Sequence, residues 1–213
     1  MLTVHHLGKS QSERIVWLCE ELAIAYTLIV YDRDSETMLA PSDYKALHPI
    51  GAAPVITEGE MVLAESEAII DYIIARHGAG RLALSADEAA FPDYLYWYHF
   101  TNGTLQPSLG RNMVLAWAGI DGASAIGVAM QRRTDIALAM VDRRLAEHPY
   151  LAGAKFSAAD VMIVFSLTTM RYFNPFELAP YPAILAYLKR ISLRPAYRSA
   201  MAKGDPGMPL LLD

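Results

Sequence analysis

Residues 53–69 read Ala53-Pro54-Val55-Ile56-Thr57-Glu58-Gly59-Glu60-Met61-Val62-Leu63-Ala64-Glu65-Ser66-Glu67-Ala68-Ile69, and the fold of the first part of the chain turns on them. Pro54 to Thr57 and Met61 to Leu63 are short apolar runs on either side of Glu58-Gly59-Glu60, the pattern of a β-hairpin. From Ser66 the period changes. Ile69, Ile70, Ile73 and Ile74 fall on one helical face, which ends near His77-Gly78, where glycine suits a C-terminal cap. A proline-led hairpin followed by a helix is therefore expected.

Toward the N-terminus, Leu2 to His6 is a β-type run, and after a polar loop Ile15, Val16, Leu18, Cys19 and Leu22 recur at helical spacing between Ser12 and Ala23. Tyr26 to Tyr31 is rich in β-branched and aromatic residues and ends at the charged turn Asp32 to Asp34, which completes a βαβ unit. Pro41 to Leu47 is weakly patterned and leads into the loop His48-Pro49-Ile50-Gly51. Residues 1–80 thus read as βαβ, an irregular helix, then ββα. Gly78 to Ser85 is the expected linker, and residues 86–213 show no strand pattern. Asp87 to about Trp117 and Ser124 to Glu147 are long helical patterns, with Pro92 in a first turn and Pro107 at a kink or break. Pro149, Pro182 and Pro195 punctuate later helices, and Gly204 to Asp213 reads as irregular chain. The fold class is α/β plus all-α.

Composition narrows the function. A length of 213 residues accommodates two small domains, each with its own core. With 18 basic against 23 acidic residues the net charge is -5, which offers no electrostatic footprint for nucleic acid or an anionic membrane face. Hydrophobic content is 54%, yet no uninterrupted apolar run approaches the roughly 20 residues of a membrane span. No export signal precedes the first strand, and a single cysteine, Cys19, supports neither an internal disulfide nor a CxxC pair, so a cytoplasmic location is expected.

Three constellations carry the chemistry. Phe156-Ser157-Ala158-Ala159-Asp160-Val161 combines a capping box with hydrophobic-staple positions, opening an apolar helix from Met162 to Leu167 that should be buried. Glu65-Ser66 opens the helix after the hairpin, where free N–H groups and the positive dipole end suit a carboxylate. Leu7-Gly8-Lys9-Ser10-Gln11-Ser12-Glu13-Arg14 joins the first strand to the first helix and places hydroxyls near a helix N-terminus, an environment that stabilises a thiolate.

A βαβ-ββα half, a proline before the third strand, Glu-Ser at the head of the third helix and a buried SxxD-capped helix in an all-α half together resemble the cytosolic glutathione transferases of the serine-type, bacterial and theta-like kind. The resemblance covers nearly the whole chain. It implies a thioredoxin-like glutathione-binding domain over 1–80, an all-helical domain over 86–213 that supplies the electrophile pocket, glutathione as co-substrate, no metal and a homodimer. By the resemblance Pro54 is a cis-proline that presents the backbone of Val55 to the cysteinyl part of glutathione, where residues alone would allow an ordinary trans proline. Ser66 takes the γ-glutamyl carboxylate and Glu65 faces the ammonium, where residues alone would allow a simple N-cap. Ser10, four residues before Arg14, is the implied activating serine, with Ser12 the alternative. Ala52 stands where relatives often carry Lys or Gln for the glycyl end, and His48 stands where Asn is common; His48 or Lys9 could replace that contact. Leu7, Tyr98, Asn102, Gln106, Met113 and Trp117 are the implied lining of the electrophile pocket. Conjugation of glutathione to a hydrophobic electrophile is the leading activity, beside glutathione-dependent peroxide or disulfide reduction and a non-catalytic glutathione-binding scaffold.

Overall fold

A computed structural model describes all of residues 1–213. The chain forms two compact units. The first contains Met1–Ala83 and Ser192–Pro209, and the second contains Leu84–Ile191 and Leu210–Asp213.

In the first unit, β1 (Leu2–Leu7) and β2 (Thr27–Tyr31) pair in parallel through α1 (Glu13–Leu22), while β3 (Val55–Glu58) runs antiparallel to both β1 and β4 (Met61–Ala64), giving sheet order β2-β1-β3-β4. Glycine at position 59 supplies the positive φ (60°) that the hairpin turn needs. The short α2 (Ser42–Lys45) lies in the weakly patterned segment, and its Tyr44 is fully buried beside Leu7, Val55 and Ala64. The helix after the hairpin is α3 (Ser66–Arg76), and Ile69, Ile70, Ile73 and Ile74 are its buried face. Ile15, Val16, Leu18, Cys19 and Leu22 are likewise buried on α1.

The sequence boundary at residue 86 divides the chain once, whereas α9 (Pro195–Gly204) belongs to the first unit. It packs along α1. The ring of Tyr197 meets Trp17 edge-on at 5.0 Å between centroids, a geometry worth about 0.5–1.5 kcal/mol beyond area burial. Arg194 holds Glu21 with two nitrogens at 2.6 and 2.7 Å, and Ser199 and Lys203 each donate to Glu20 at 2.6 Å. These partners lie some 170 to 180 positions apart in the chain, so no local pattern reveals them.

The second unit is helical, with one isolated bridge at Tyr150 and Gly153. The long pattern expected from Asp87 to Trp117 is α4 (Phe91–Phe100), a π-helical turn (Thr101–Leu105) and α5 (Gln106–Trp117). Pro107 explains the irregularity: it has no N–H to continue the ladder, and the N–H before it, from Gln106, reaches back to Thr101 O. Ser124 caps α6 (Ala125–Glu147) by accepting from Gly127 N–H, and α8 (Pro182–Ser192) follows the buried α7 (Ala158–Leu167). No helix is long and apolar enough to cross a membrane.

Every residue of α7 is buried, which suits its all-round apolar character. Asp160 is its one charged residue. Its Oδ2 accepts from Ser157 N–H at 2.9 Å and Ser157 Oγ–H at 3.3 Å, and its Oδ1 accepts from Leu151 N–H at 3.0 Å and Tyr187 O–H at 3.1 Å. Four donors and one carboxylate thus close a buried network. Asp160→Asn puts an NH2 against two of those donors and should cost the helical unit about 2–4 kcal/mol, read as a lower urea midpoint in the far-ultraviolet transition.

Candidate functional site

The loop from Gly8 to Ser12 follows β1, and its course is fixed from β2. Gly8 N–H donates to Tyr31 O at 3.0 Å, and the Arg33 guanidinium donates to the carbonyls of Gly8, Lys9 and Met38 at 2.7, 3.2 and 2.7 Å. Lys9 adopts a left-handed conformation (φ 53°), which turns the chain back so that Ser10 and Ser12 approach the start of α1.

Ser10 and Ser12 are both buried, and their hydroxyl oxygens lie 2.7 Å apart. Ser12 occupies the N-cap position of α1, yet its side chain makes no capping bond. Its hydroxyl points back to the strand instead: it accepts from Leu7 N–H at 3.1 Å and lies 3.0 Å from His6 Nδ1. Ser10 Oγ accepts from Ser12 N–H at 3.2 Å, a local serine turn that leaves the Ser10 hydroxyl at the end of this chain of contacts.

The loop is tied to α3 by Arg14. This side chain is fully buried, and its Nη1 donates to Gln11 Oε1 at 2.7 Å and to Ser66 Oγ at 3.1 Å. Ser66 Oγ in turn reaches Gln11 Oε1 at 3.5 Å. A cation held in this way draws the Ser10 loop and the head of α3 into one locality. Glu65, exposed just before Ser66, takes a positive φ (74°, ψ 126°) outside the ordinary regions for a side-chain-bearing residue. Strain of that kind, of order 1–3 kcal/mol, concentrates where a side chain or an amide must be aimed.

Beside these elements the Ala53–Pro54 bond is cis, and Val55 pairs with His5 on one side and Ala64 on the other. His48 turns its ring onto its own loop, where Nδ1 accepts from Ile50 N–H at 3.2 Å. The Lys9 backbone N–H donates to Asp205 Oδ1 at 2.9 Å. Leu7 is buried in the core cluster with Tyr44 and Val55. In the second unit Tyr98 is buried and stacks on Tyr94 (5.6 Å, 18°), Asn102 stands in the π-helical turn, Gln106 accepts from Ser166 O–H at 3.3 Å, Met113 is half-buried and Trp117 is 71% exposed. The sequence reading missed Gln11 and Arg14. An arginine inside the otherwise apolar face of α1 was the available signal.

Two further side chains of the first unit have defined environments. Cys19 is fully buried, and burial, with the neighbouring Glu20 carboxylate, pushes its thiol up to about 12, which removes it from thiolate chemistry. Burial lowers His5 from its ordinary value, and its neutral ring is held between Tyr31 OH at 3.0 Å and Thr57 Oγ1 at 3.1 Å.

Residues 10–76 match the family model of the glutathione S-transferase N-terminal domain, and residues 129–195 match that of the C-terminal domain. Glutathione S-transferase 3 of Schizosaccharomyces pombe is 30% identical over 95% of this chain and 88% of its own length. A disulfide-bond oxidoreductase of Escherichia coli is 27% identical over 97% of both chains. A crystal structure of a glutathione S-transferase from Actinobacillus pleuropneumoniae superposes with a TM-score of 0.87 at 30% identity, covering 96% of this chain and 93% of that one.

The Arg14 linkage can be broken alone. Arg14→Met keeps the volume and removes the donors, so it should cost the first unit about 1–3 kcal/mol. Hydrogen exchange should accelerate at the amides of Ser12 and Ser66 while the helical unit is unaffected.

Proposed function

The chain belongs to the glutathione S-transferase family, and on that basis we propose that it conjugates the thiolate of glutathione to a hydrophobic electrophile, with Ser10 donating a hydrogen bond to the sulfur. The observation that carries this reading is the Arg14 bridge, because it gathers the hydroxyl loop and the Glu65-Ser66 helix end of one unit into a single locality.

Each part of the peptide then has a partner in kind. Ser66 and the first turn of α3 take the γ-glutamyl carboxylate, where the N–H groups of a helix start and the helix dipole favour an anion, and the exposed Glu65 faces the ammonium. The backbone at the start of β3, where the cis Pro54 leads into Val55, is the proposed contact of the cysteinyl residue. The cysteinyl sulfur is assigned to Ser10, with Ser12 next to it at 2.7 Å between hydroxyl oxygens. His48 remains the proposed glycyl contact, through Nε2–H, since its Nδ1 accepts from Ile50 N–H. The electrophile is assigned to the second unit, with Tyr98, Asn102, Gln106, Met113 and Trp117 as its proposed contacts.

The chemistry asks little of the serine. A thiol of ordinary pKa, about 8.5, is only roughly 3% ionised at pH 7, whereas one lowered to about 6.5 is about three-quarters thiolate. A hydrogen bond to the charged sulfur supplies part of that shift. The E. coli disulfide-bond oxidoreductase among the relatives supports a second reading, in which the same thiolate attacks a disulfide. A glutathione-dependent turnover panel of aryl halides, epoxides, peroxides and mixed disulfides separates the two. In whichever reaction dominates, Ser10→Ala should slow turnover by about ten- to a hundredfold at neutral pH, the equivalent of about 1.5–3 kcal/mol. The loss should shrink under alkaline conditions, where thiolate forms unaided, and an unchanged rate and thiol pKa in this variant would remove Ser10 from its role.

We further propose a two-fold homodimer, as the family resemblance implies. Apolar side chains exposed on α4 and α6, among them Tyr96, Val128, Ile136 and Met140, support it. Light scattering at micromolar concentration should give twice the 23.5 kDa of the chain.

A further inference from the structure

The Ser10 hydroxyl is the outer end of a buried hydrogen-bond chain whose inner end is a carboxylate. Ser10 Oγ lies 2.7 Å from Ser12 Oγ, Ser12 Oγ lies 3.0 Å from His6 Nδ1, and His6 Nε2 lies 3.0 Å from Asp205 Oδ2. His6 and Ser12 are fully buried, and the Asp205 side chain is 8% exposed. Asp205 arrives from the C-terminal end of α9, and its other oxygen is held by Lys9 N–H. Two glycines make room. A Cβ at Gly204 would stand 3.0 Å from His6 Nε2, and one at Gly8 would stand 3.3 Å from Asp205 Oδ1. The other charge facing this group is the Arg33 guanidinium, which holds the loop carbonyls and interacts electrostatically with Asp205.

Counting hydrogens along this chain gives two complete arrangements. When the imidazole is neutral, Nε2–H donates to Asp205, so Nδ1 is the acceptor. Ser12 O–H then donates to Nδ1, at 3.0 Å in preference to Leu7 O at 3.4 Å, and Ser12 Oγ accepts from Leu7 N–H and from Ser10 O–H. Ser10 Oγ accepts from Ser12 N–H and keeps one lone pair facing outward. That end accepts a proton; it cannot donate one. When the imidazole is protonated, the two bonds between Nδ1 and Ser10 reverse, while Nε2–H still donates to Asp205. Nδ1–H donates to Ser12, Ser12 O–H donates to Ser10, and Ser10 O–H is free to point outward. The first arrangement suits a thiol, and the second suits a thiolate.

We propose that His6, oriented by Asp205, takes the proton of the bound glutathione thiol through Ser10 and Ser12. This rests on the reading that Ser10 faces the sulfur. The S–H bond breaks and leaves its electron pair on sulfur; Ser10 gains that proton and passes its own to Ser12, and Ser12 passes its own to Nδ1. Thiol and imidazole become thiolate and imidazolium, no co-reactant is consumed, and the Ser10 O–H that results donates to the sulfur. His6 and Asp205 act only through the serines, so they are positioning residues, with Asp205 fixing the tautomer as the carboxylate of a Ser-His-Asp triad does.

The proposal predicts where the thiol proton goes. Thiolate formed on binding is measured by ultraviolet absorbance, and proton release by titration calorimetry in two buffers of different ionisation enthalpy. S-Methylglutathione provides the thiol-free reference. The wild-type enzyme should release well under half a proton per thiolate, because His6 keeps it. Asp205→Asn retains an oxygen for Lys9 N–H but makes Nε2 an acceptor, and Ser12→Ala cuts the chain; both should release about one proton per thiolate formed and slow neutral-pH conjugation by roughly tenfold with recovery at alkaline pH. Release of a full proton per thiolate by the wild type overturns the relay, whatever the variants do. If thiolate formation is unaltered in Ser10→Ala, the reading of Ser10 itself fails; if it depends on Ser10 while the wild type releases its proton, only the relay fails.

Discussion

The site depends on a guanidinium buried in the first turn of the first helix. Arg14 lies fully inside the first unit, and Gln11 Oε1 and Ser66 Oγ both accept from its Nη1. Burying a cation is costly, and the cost is offset only while several oxygens converge on it. Arg14 therefore imposes a requirement on its surroundings. The loop after β1 must bring Gln11 inward, and α3 must begin with a hydroxyl. The strained backbone at Glu65 and the left-handed Lys9 are where the chain absorbs the geometry of those two demands.

The helical unit solves a comparable problem differently. α7 is so uniformly apolar that its own periodicity gives it no orientation, and Asp160 supplies what the missing stripe cannot. A carboxylate that needs Leu151, Ser157 and Tyr187 at once permits one rotation of the helix and one position of the preceding loop. The first unit is ordered by a buried cation and the second by a buried anion.

Much of this was legible in the chain. The strands, the turn at Gly59 and the isoleucine face of α3 follow from local period and from glycine chemistry, and the strands found lie within a residue or two of those read from sequence. The break at Pro107 was visible, though its form as a π-helical turn was not, because a missing N–H does not say how the neighbours compensate. Ser10, Ser12, Glu65 and Ser66 could be singled out from their places at helix starts. Gln11, His6 and Asp205 could not. Gln11 is an ordinary loop residue until Arg14 is known to be inside, His6 reads as the end of a strand, and Asp205 falls in a stretch of irregular composition nearly 200 residues from its partner.

The return of α9 to the first unit makes the helical unit an insertion within it. A ribosome adding about 5–20 residues per second completes β1 to α3 and then leaves the outward side of α1 uncovered for on the order of ten seconds while Leu84–Ile191 is made. During that interval Trp17 has no Tyr197, and Glu20 and Glu21 have no cations. The nascent chain thus carries a half-finished face that a chaperone could occupy and that a premature stop codon anywhere before α9 would leave permanently open, giving truncated products a physical mark by which proteolysis can recognise them.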